Sequence, residues 1–167
     1  MTEQRPALPR AARRVAEVLN GRGHSGQILL LDASARSAAE AAAALGVSQQ
    51  QIVKSLVFRG RRSSRPILAL VGGTHRVDLR RLEDHVGEPV ERADAEWVRE
   101  QTGFAIGGVP PLGHAATVHT VAERSLVEFA ELWAAAGTPH AVFPLRGDEL
   151  ARLTGAELAP IAEGAPV

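Results

Sequence analysis

Cysteine is absent from this 167-residue chain, and lysine nearly so: Lys54 stands alone against eighteen arginines. Without thiols there is no disulfide, no thiolate zinc site and no cysteine nucleophile. Charge of one sign is not in excess either. The formal net charge is zero, which argues against a protein that grips nucleic acid through its overall field and leaves room for a partner with few phosphate contacts, such as an RNA end. Long hydrophobic runs are missing: no uncharged stretch is long enough to cross a bilayer. The start, Met1 to Arg14, carries arginines with no apolar stretch behind them, so it does not read as a secretory signal. The expected compartment is the cytoplasm, with no membrane partner. Several catalytic motifs are absent as well: the phosphate-binding GxxxxGK[ST], GxGxxG, the GxSxG elbow and HExxH. The six histidines (24, 75, 85, 114, 119 and 140) lack zinc-ligand spacing along the chain, so neither a metal nor another cofactor is expected.

What is present is an ordinary globular composition, 45% apolar and 23% charged, long enough for one sizeable core. Residues 1–10 read as a flexible tail and 11–167 as a single domain. Ala11 to Leu19 reads as a helix with Val15, Val18 and Leu19 on one stripe, and Gln27 to Leu31 as a short strand. Ser34 to Leu45 is an alanine-rich helix closed by Gly46. Gln51 to Arg59 and Pro66 to Val71 are apolar strands joined by a basic hairpin loop, Gly60 to Arg65. Asp78 caps a helix to His85, Pro89 to Glu91 is a short strand, and Asp94 caps a helix to Gln101. Beyond a Gly/Pro loop, Phe104 to Gly113, comes a strand at Ala116 to Thr120. Ala122 to Ala136 is full of helix formers, yet Gly137-Thr138-Pro139-His140 before Ala141 to Leu145 suits a hairpin with Glu131 to Ala136 as its first strand. Asp148 caps a helix ending near Gly155, and Glu157 to Ile161 is a last strand. Short strands mixed irregularly with short helices indicate an α+β fold.

Two places carry chemistry. In Ile52-Val53-Lys54-Ser55-Leu56-Val57-Phe58, a period of two puts Lys54 on the more apolar face, with Ile52, Leu56 and Phe58. An ammonium there loses its proton, snorkels to water or meets an anion. The alternative is a leftover lysine in an arginine-biased chain. The second place is Thr102-Gly103-Phe104-Ala105-Ile106-Gly107-Gly108-Val109-Pro110-Pro111-Leu112-Gly113-His114. Adjacent glycines leave amides free to meet a ligand oxygen, and the prolines stiffen the loop, an arrangement that suits a developing oxyanion; an ordinary surface turn has the same composition. Gly72-Gly73-Thr74-His75 offers amides at a helix start or is a plain connector. His114 and His140 are loop histidines within reach of a substrate or simply solvated. Arg59, Arg61, Arg62 and Arg65, like Arg76, Arg80 and Arg81, suit an RNA backbone or a solvated tip.

In order and spacing, the Lys54 strand, the stretch Leu68-Ala69-Leu70-Val71-Gly72-Gly73 with Val77-Asp78-Leu79, and the Thr102 to Gly113 loop resemble the YbaK/ProX family of aminoacyl-tRNA deacylases, related to the editing insertion of bacterial prolyl-tRNA synthetases. Trp133-Ala134-Ala135-Ala136-Gly137-Thr138-Pro139 and Leu153-Thr154-Gly155-Ala156 extend the resemblance, which runs from about Ser34 to Glu163. It implies a YbaK-like α+β domain whose mixed sheet curls toward a barrel and is flanked by helices, and it decides for the hairpin over the helix at 131–145. It also implies hydrolysis of the ester of mischarged tRNA, with a small amino acid released. The family's lysine matches Lys54 and its GxxxP loop matches Gly107 to Pro111. Lys54, Gly107 and Gly108 are then the catalytic set, Lys54 anchoring the tRNA terminus and the two glycine amides carrying the oxyanion. Val109, Pro110, Pro111, Gly113, His114, Gly72 and His140 line the substrate. The water is activated by the substrate's own ribose hydroxyl or amino group. The partners are the aminoacyl-tRNA 3′ end and a synthetase. Relatives acting on cysteinyl-tRNA often carry Ser where Pro110 stands, which leaves the amino acid open. The alternative is a non-catalytic module that holds an RNA end or docks on a synthetase.

Overall fold

A computed structural model of the chain describes residues 7–32 and 35–166. Residues 1–6 of the expected tail, and Ser34 at the expected start of the second helix, lie outside the described residues. The elements in chain order are α1 (Arg10–Gly21), β1 (Leu29–Leu30), α2 (Ala38–Leu45), β2 (Ile52–Gly60), β3 (Pro66–Gly72), α3 (Leu79–Val86), β4 (Val90–Arg92), α4 (Ala95–Thr102), β5 (His119–Glu123), β6 (Leu132–Ala135), β7 (Ala141–Leu145), α5 (Leu150–Thr154) and β8 (Glu157–Ala159). Polar side chains close three helix starts, at Asp78 and Asp94 as the sequence indicates and at Ser37. Asp148 does not cap α5, because it lies within the 3-10 turn Gly147–Glu149 that precedes it. Ser37 accepts from the Glu40 amide at 3.1 Å, Asp78 from Arg81 at 3.2 Å and Asp94 from Trp97 at 2.9 Å.

The strands form one mixed sheet in the order β1-β7-β6-β2-β3-β5-β8, with β4 also on β2. The expected curl toward a barrel stops short of closure, because β1 and β8 are opposite edges that do not pair with each other. β3 is buried along its whole length and divides its side chains between two cores. Leu68 and Leu70 join Val53, Phe104, Phe143 and α1's Val15 and Leu19 on one face. Ile67, Ala69 and Val71 join Phe58, Leu82 of α3 and Ile161 on the other. Burying a side chain of this size stabilises by about 1.5–3 kcal/mol, so each face of the sheet has its own reason to hold a helix.

The segment 122–136 is the hairpin arm and not a helix. β6 pairs antiparallel with β7, Leu132 opposite Leu145 and Ala135 opposite Val142. Only the 3-10 turn Arg124–Glu128 retains helical character there. Leu132 and Ala134 alternate into the main core, and that burial overrides the helix propensity of the stretch. The strand expected at Ala116 to Thr120 lies three residues later, at His119–Glu123, where Thr120 to Glu123 are buried beside β3.

Candidate active site

The site begins with a gap in the sheet. On one side β2 pairs with β3 from Val53 to Arg59. On its other side β2 meets two partners in succession: parallel β6 at Ile52 and Val53, and antiparallel β4 from Phe58 to Gly60. Lys54 to Val57 therefore have a strand neighbour on one side only, and the split between β6 and β4 opens the sheet at the lysine. Alternation along β2 holds as the sequence indicates: Val53 and Val57 face the main core, Leu56 and Phe58 the second one, so Lys54 lies on the side of the second core.

Two cavities meet at this gap. The larger, about 1010 Å³, runs along Lys54 to Phe58 and is rimmed by Arg76, Arg80 and Arg92. The smaller, about 300 Å³, is walled by Ile52, Trp133, Ala135, Pro139 and Val142. Both share Lys54, Ser55, Leu56, Ile106, Gly107 and Val109. One cavity is thus roomy and more basic than acidic, with Asp78 and Glu163 set among its four cationic side chains. The other is small and mostly apolar, with Arg36 and Ser37 also on its wall. Lys54 and the Gly107 loop stand at their junction. The Ser55 hydroxyl beneath that junction is buried with no hydrogen-bond partner among the described residues.

Lys54 donates through Nζ to the His75 carbonyl at 2.5 Å. Its pKa lies below the usual 10.5, first because burial penalises the ammonium and second because Arg76 repels it; Glu123 acts in the opposite sense. Glu123 anchors this end of the sheet. Its side chain is only 2% exposed, and both oxygens are engaged. Oε2 accepts from the Gly72 amide at 2.9 Å, and Oε1 accepts from the Ser125 hydroxyl at 2.6 Å and meets His75 Nδ1. Glu123 so fixes the His75 ring, and the His75 carbonyl in turn holds the lysine. Gln50 adds a brace, accepting from the Thr74 amide at 3.2 Å.

The loop residues divide. Gly107 has φ +92°, a left-handed conformation that favours glycine, and its amide makes no hydrogen bond among the described residues. The Gly108 amide, expected to be free, donates to the Ala105 carbonyl at 3.0 Å. Gly108 is required for another reason: a Cβ there would lie 2.7 Å from the Thr138 Cα, so the loop packs backbone to backbone on the β6–β7 turn. Val109 lines both cavities, whereas Pro110, Pro111, Gly113 and His114 lie behind the loop and line neither. His114 Nε2 meets the Pro110 carbonyl at 2.7 Å, and its ring packs edge-on against Phe104. Burial pushes the His114 pKa below 6.5, partly offset by that contact, so it serves as a neutral staple of the loop. Gly72 gives its amide to Glu123 and faces neither cavity. His140 also lies outside both cavities, its carbonyl accepting from Leu31 and its Nδ1 buried without a partner among the described residues.

Of the residues the sequence singled out, Lys54, Gly107 and Val109 line both cavities. Sequence reasoning missed Glu123 and gave His75 no role beyond a turn. The available signal was alternation, since Val121 and Glu123 share a face of β5 and a carboxylate ending an apolar strand needs partners. Arg76 and Arg80, weighed only as a solvated cluster or an RNA contact, rim the larger cavity.

Residues 32–153 match the model of the aminoacyl-tRNA editing domain. The chain is 31% identical over 123 residues to the uncharacterized protein YwhH of Bacillus subtilis, covering 74% of this chain and 78% of that one. It is 36% identical over 92 residues to the proline–tRNA ligase of Geobacter sp. (strain M21), where the match covers 54% of this chain and only 16% of the much longer ligase. A crystal structure described as a candidate trans-editing enzyme for prolyl-tRNA synthetase superimposes with a TM-score of 0.89 at 46% identity, covering 95% of this chain and 100% of that one. No helix among the described residues is long and apolar enough to cross a membrane. The ordered motifs, the open mixed sheet and these matches agree: the chain belongs to the aminoacyl-tRNA editing domain family.

Proposed function

We propose that this chain, as one editing domain over residues 11–167, acts in trans in the cytoplasm to hydrolyse the ester that joins a wrongly attached small amino acid to the 3′ end of a tRNA, tRNA(Pro) first among the candidates. The observation that carries this reading is the pair of unlike cavities meeting at Lys54 and Gly107. The terminal nucleotides occupy the larger one, where Arg76, Arg80 and Arg92 face their phosphates. The aminoacyl group enters the smaller one, whose volume and apolar walls suit a short side chain. Lys54 then stands at the ester as a charged anchor for the terminal phosphate or ribose, and the Gly107 amide meets the carbonyl oxygen as it becomes an oxyanion.

Water adds to the carbonyl carbon, and the tetrahedral intermediate collapses by breaking the bond to the ribose oxygen. The ribose oxygen gains a proton, leaving free amino acid and tRNA. Glu123 is not the base: both its oxygens are engaged and it lines neither cavity. Asp78 and Glu163 line the larger cavity, with Asp78 engaged as the cap of α3. The family resemblance assigns the water's proton to the substrate's own vicinal hydroxyl or amino group.

A deacylation panel tests the reading. tRNAs charged with alanine, serine, cysteine, threonine and proline are incubated with the protein, and the released amino acid is measured. At least one small mischarged substrate turns over, Lys54→Ala abolishes turnover, and Lys54→Arg lowers it markedly, because a broad guanidinium replaces a compact ammonium. No turnover with any substrate, together with measurable binding of a tRNA 3′ end, would favour a non-catalytic module docked on a synthetase. Near-normal activity in Lys54→Ala would remove the lysine from the mechanism.

A further inference from the structure

Far from the gap, the fold brings together three side chains that lie 34 or more residues apart in sequence. His119 opens β5, and Glu157 opens β8. The two strands run parallel with Val121 opposite Glu157, so His119, two residues before Val121, shares a sheet face with Glu157. α3 covers that face, Leu82 packing with Val121 and Ala159, and its last turn delivers His85 to the same spot. Each histidine turns Nε2 toward a different oxygen of the one carboxylate. His119 meets Oε1, and His85 stands 3.6 Å from Oε2. The donor atoms of the three residues all lie within 4.8 Å of one another, and the imidazole rings are 6.3 Å apart, tilted by 49°.

We propose that His85, His119 and Glu157 form a zinc-binding site. Two imidazoles and one carboxylate are a borderline nitrogen–oxygen donor set that suits Zn²⁺ and disfavours Mg²⁺ and Ca²⁺, which prefer oxygen alone. Tetrahedral zinc with bonds of about 2.0–2.1 Å needs donors about 3.3 Å apart, which small rotations of three partly exposed side chains provide. The side chains are 27%, 39% and 56% exposed, so the ion has an entry path, and water fills the fourth position. Sequence spacing conceals the site because the ligands come from three separate elements, each contributing one. Its place in the fold indicates a structural clamp. β8 is a three-residue edge strand, and the ion ties its start to β5 and to the end of α3. Across β3, His119 pairs opposite Ile67 and Lys54 opposite Val71, a separation of four residues or about 13 Å along the strand. The ion therefore takes no part in chemistry at the gap.

The full chain, freed of metal by chelator and dialysed, is titrated with Zn²⁺ and in parallel with Mg²⁺ by calorimetry. One equivalent of Zn²⁺ binds and raises the melting temperature, while Mg²⁺ does neither. His119→Ala and Glu157→Gln each weaken zinc more than about tenfold, and His24→Ala, on the far side of the molecule's main core, leaves it unchanged. Stoichiometric binding that survives His119→Ala, or no binding below millimolar zinc, overturns the site. Should a variant fail to fold, the wild-type chain loaded with Co²⁺ decides: an intense visible band of low-coordinate cobalt supports the site, and the weak spectrum of the hydrated ion overturns it.

Discussion

A histidine meets a carboxylate at each end of β5, and the two contacts are built in opposite ways. At the C-terminal end Glu123 is 2% exposed, with His75 39% exposed above it. At the N-terminal end His119 is 39% and Glu157 56% exposed. The residue types are the same, but burial changes what the contact does. A carboxylate removed from water needs every lone pair satisfied, and Glu123 gathers a backbone amide, a hydroxyl and an imidazole to do so. That makes it a fixed post from which the His75 carbonyl and Lys54 hang. An exposed carboxylate keeps its water, moves freely and contributes little to stability by itself. It remains available to an added ligand.

The largest expected effect lies at the buried end. Glu123→Ala leaves the Gly72 amide and the Ser125 hydroxyl without their acceptor and should lower unfolding stability by about 2–5 kcal/mol, read as a fall in the denaturant midpoint. A shift no larger than that of Glu157→Ala would erase the contrast between the two ends. Next in size is an effect on pH dependence. Lys54 holds its proton less tightly than a free lysine, so deacylation corrected for spontaneous ester hydrolysis should fall with rising pH before 10.5, the ordinary lysine value. Since Glu123 is the group that favours the ammonium, Glu123→Gln moves that alkaline limb to lower pH. A limb that stays put in the folded variant would show that Glu123 acts on packing alone.

Much of this was legible in the sequence, because local rules sufficed for it. The capping aspartates Asp78 and Asp94, the apolar runs of β2 and β3 and the alternation that turns Lys54 toward the second core are short-range facts. The hairpin at 132–145 was one of two readings its residues allowed, and the family resemblance decided for it, since its alanines and leucines favour a helix until Leu132 and Ala134 are buried. What sequence could not supply is pairing between distant segments. The gap at Lys54 exists because β6 and β4 divide one edge of β2, and nothing in the residues of β2 announces that. Glu123, Gly72 and His75 meet for the same reason, as do His85, His119 and Glu157. At Gly108 the loop's glycine pair suggested two free amides, and a single hydrogen bond to Ala105 leaves Gly107 as the donor.

The smallest effect belongs to the exposed end. The Glu157 pKa lies below 4.5, mainly through its hydrogen bond with His119 and further through the charge of His119 and His85. A carboxylate whose pKa is lowered by folding adds stability that is present above 4.5, its ordinary value, and is lost as pH falls through the folded value. With chelator present, Glu157→Gln should therefore cost less than about 1 kcal/mol near neutral pH once solvent screening is allowed for. The difference from wild type should shrink in high salt and vanish as acid protonates Glu157 in the wild type too. Zinc enlarges this effect: with the ion present, the same substitution should also forfeit much of the wild type's zinc-dependent rise in melting temperature, because it weakens the ion's binding. If Glu157→Gln costs as much with chelator as with zinc, the exposed pair is a structural contact in its own right, and exposure is not what separates the two ends of β5.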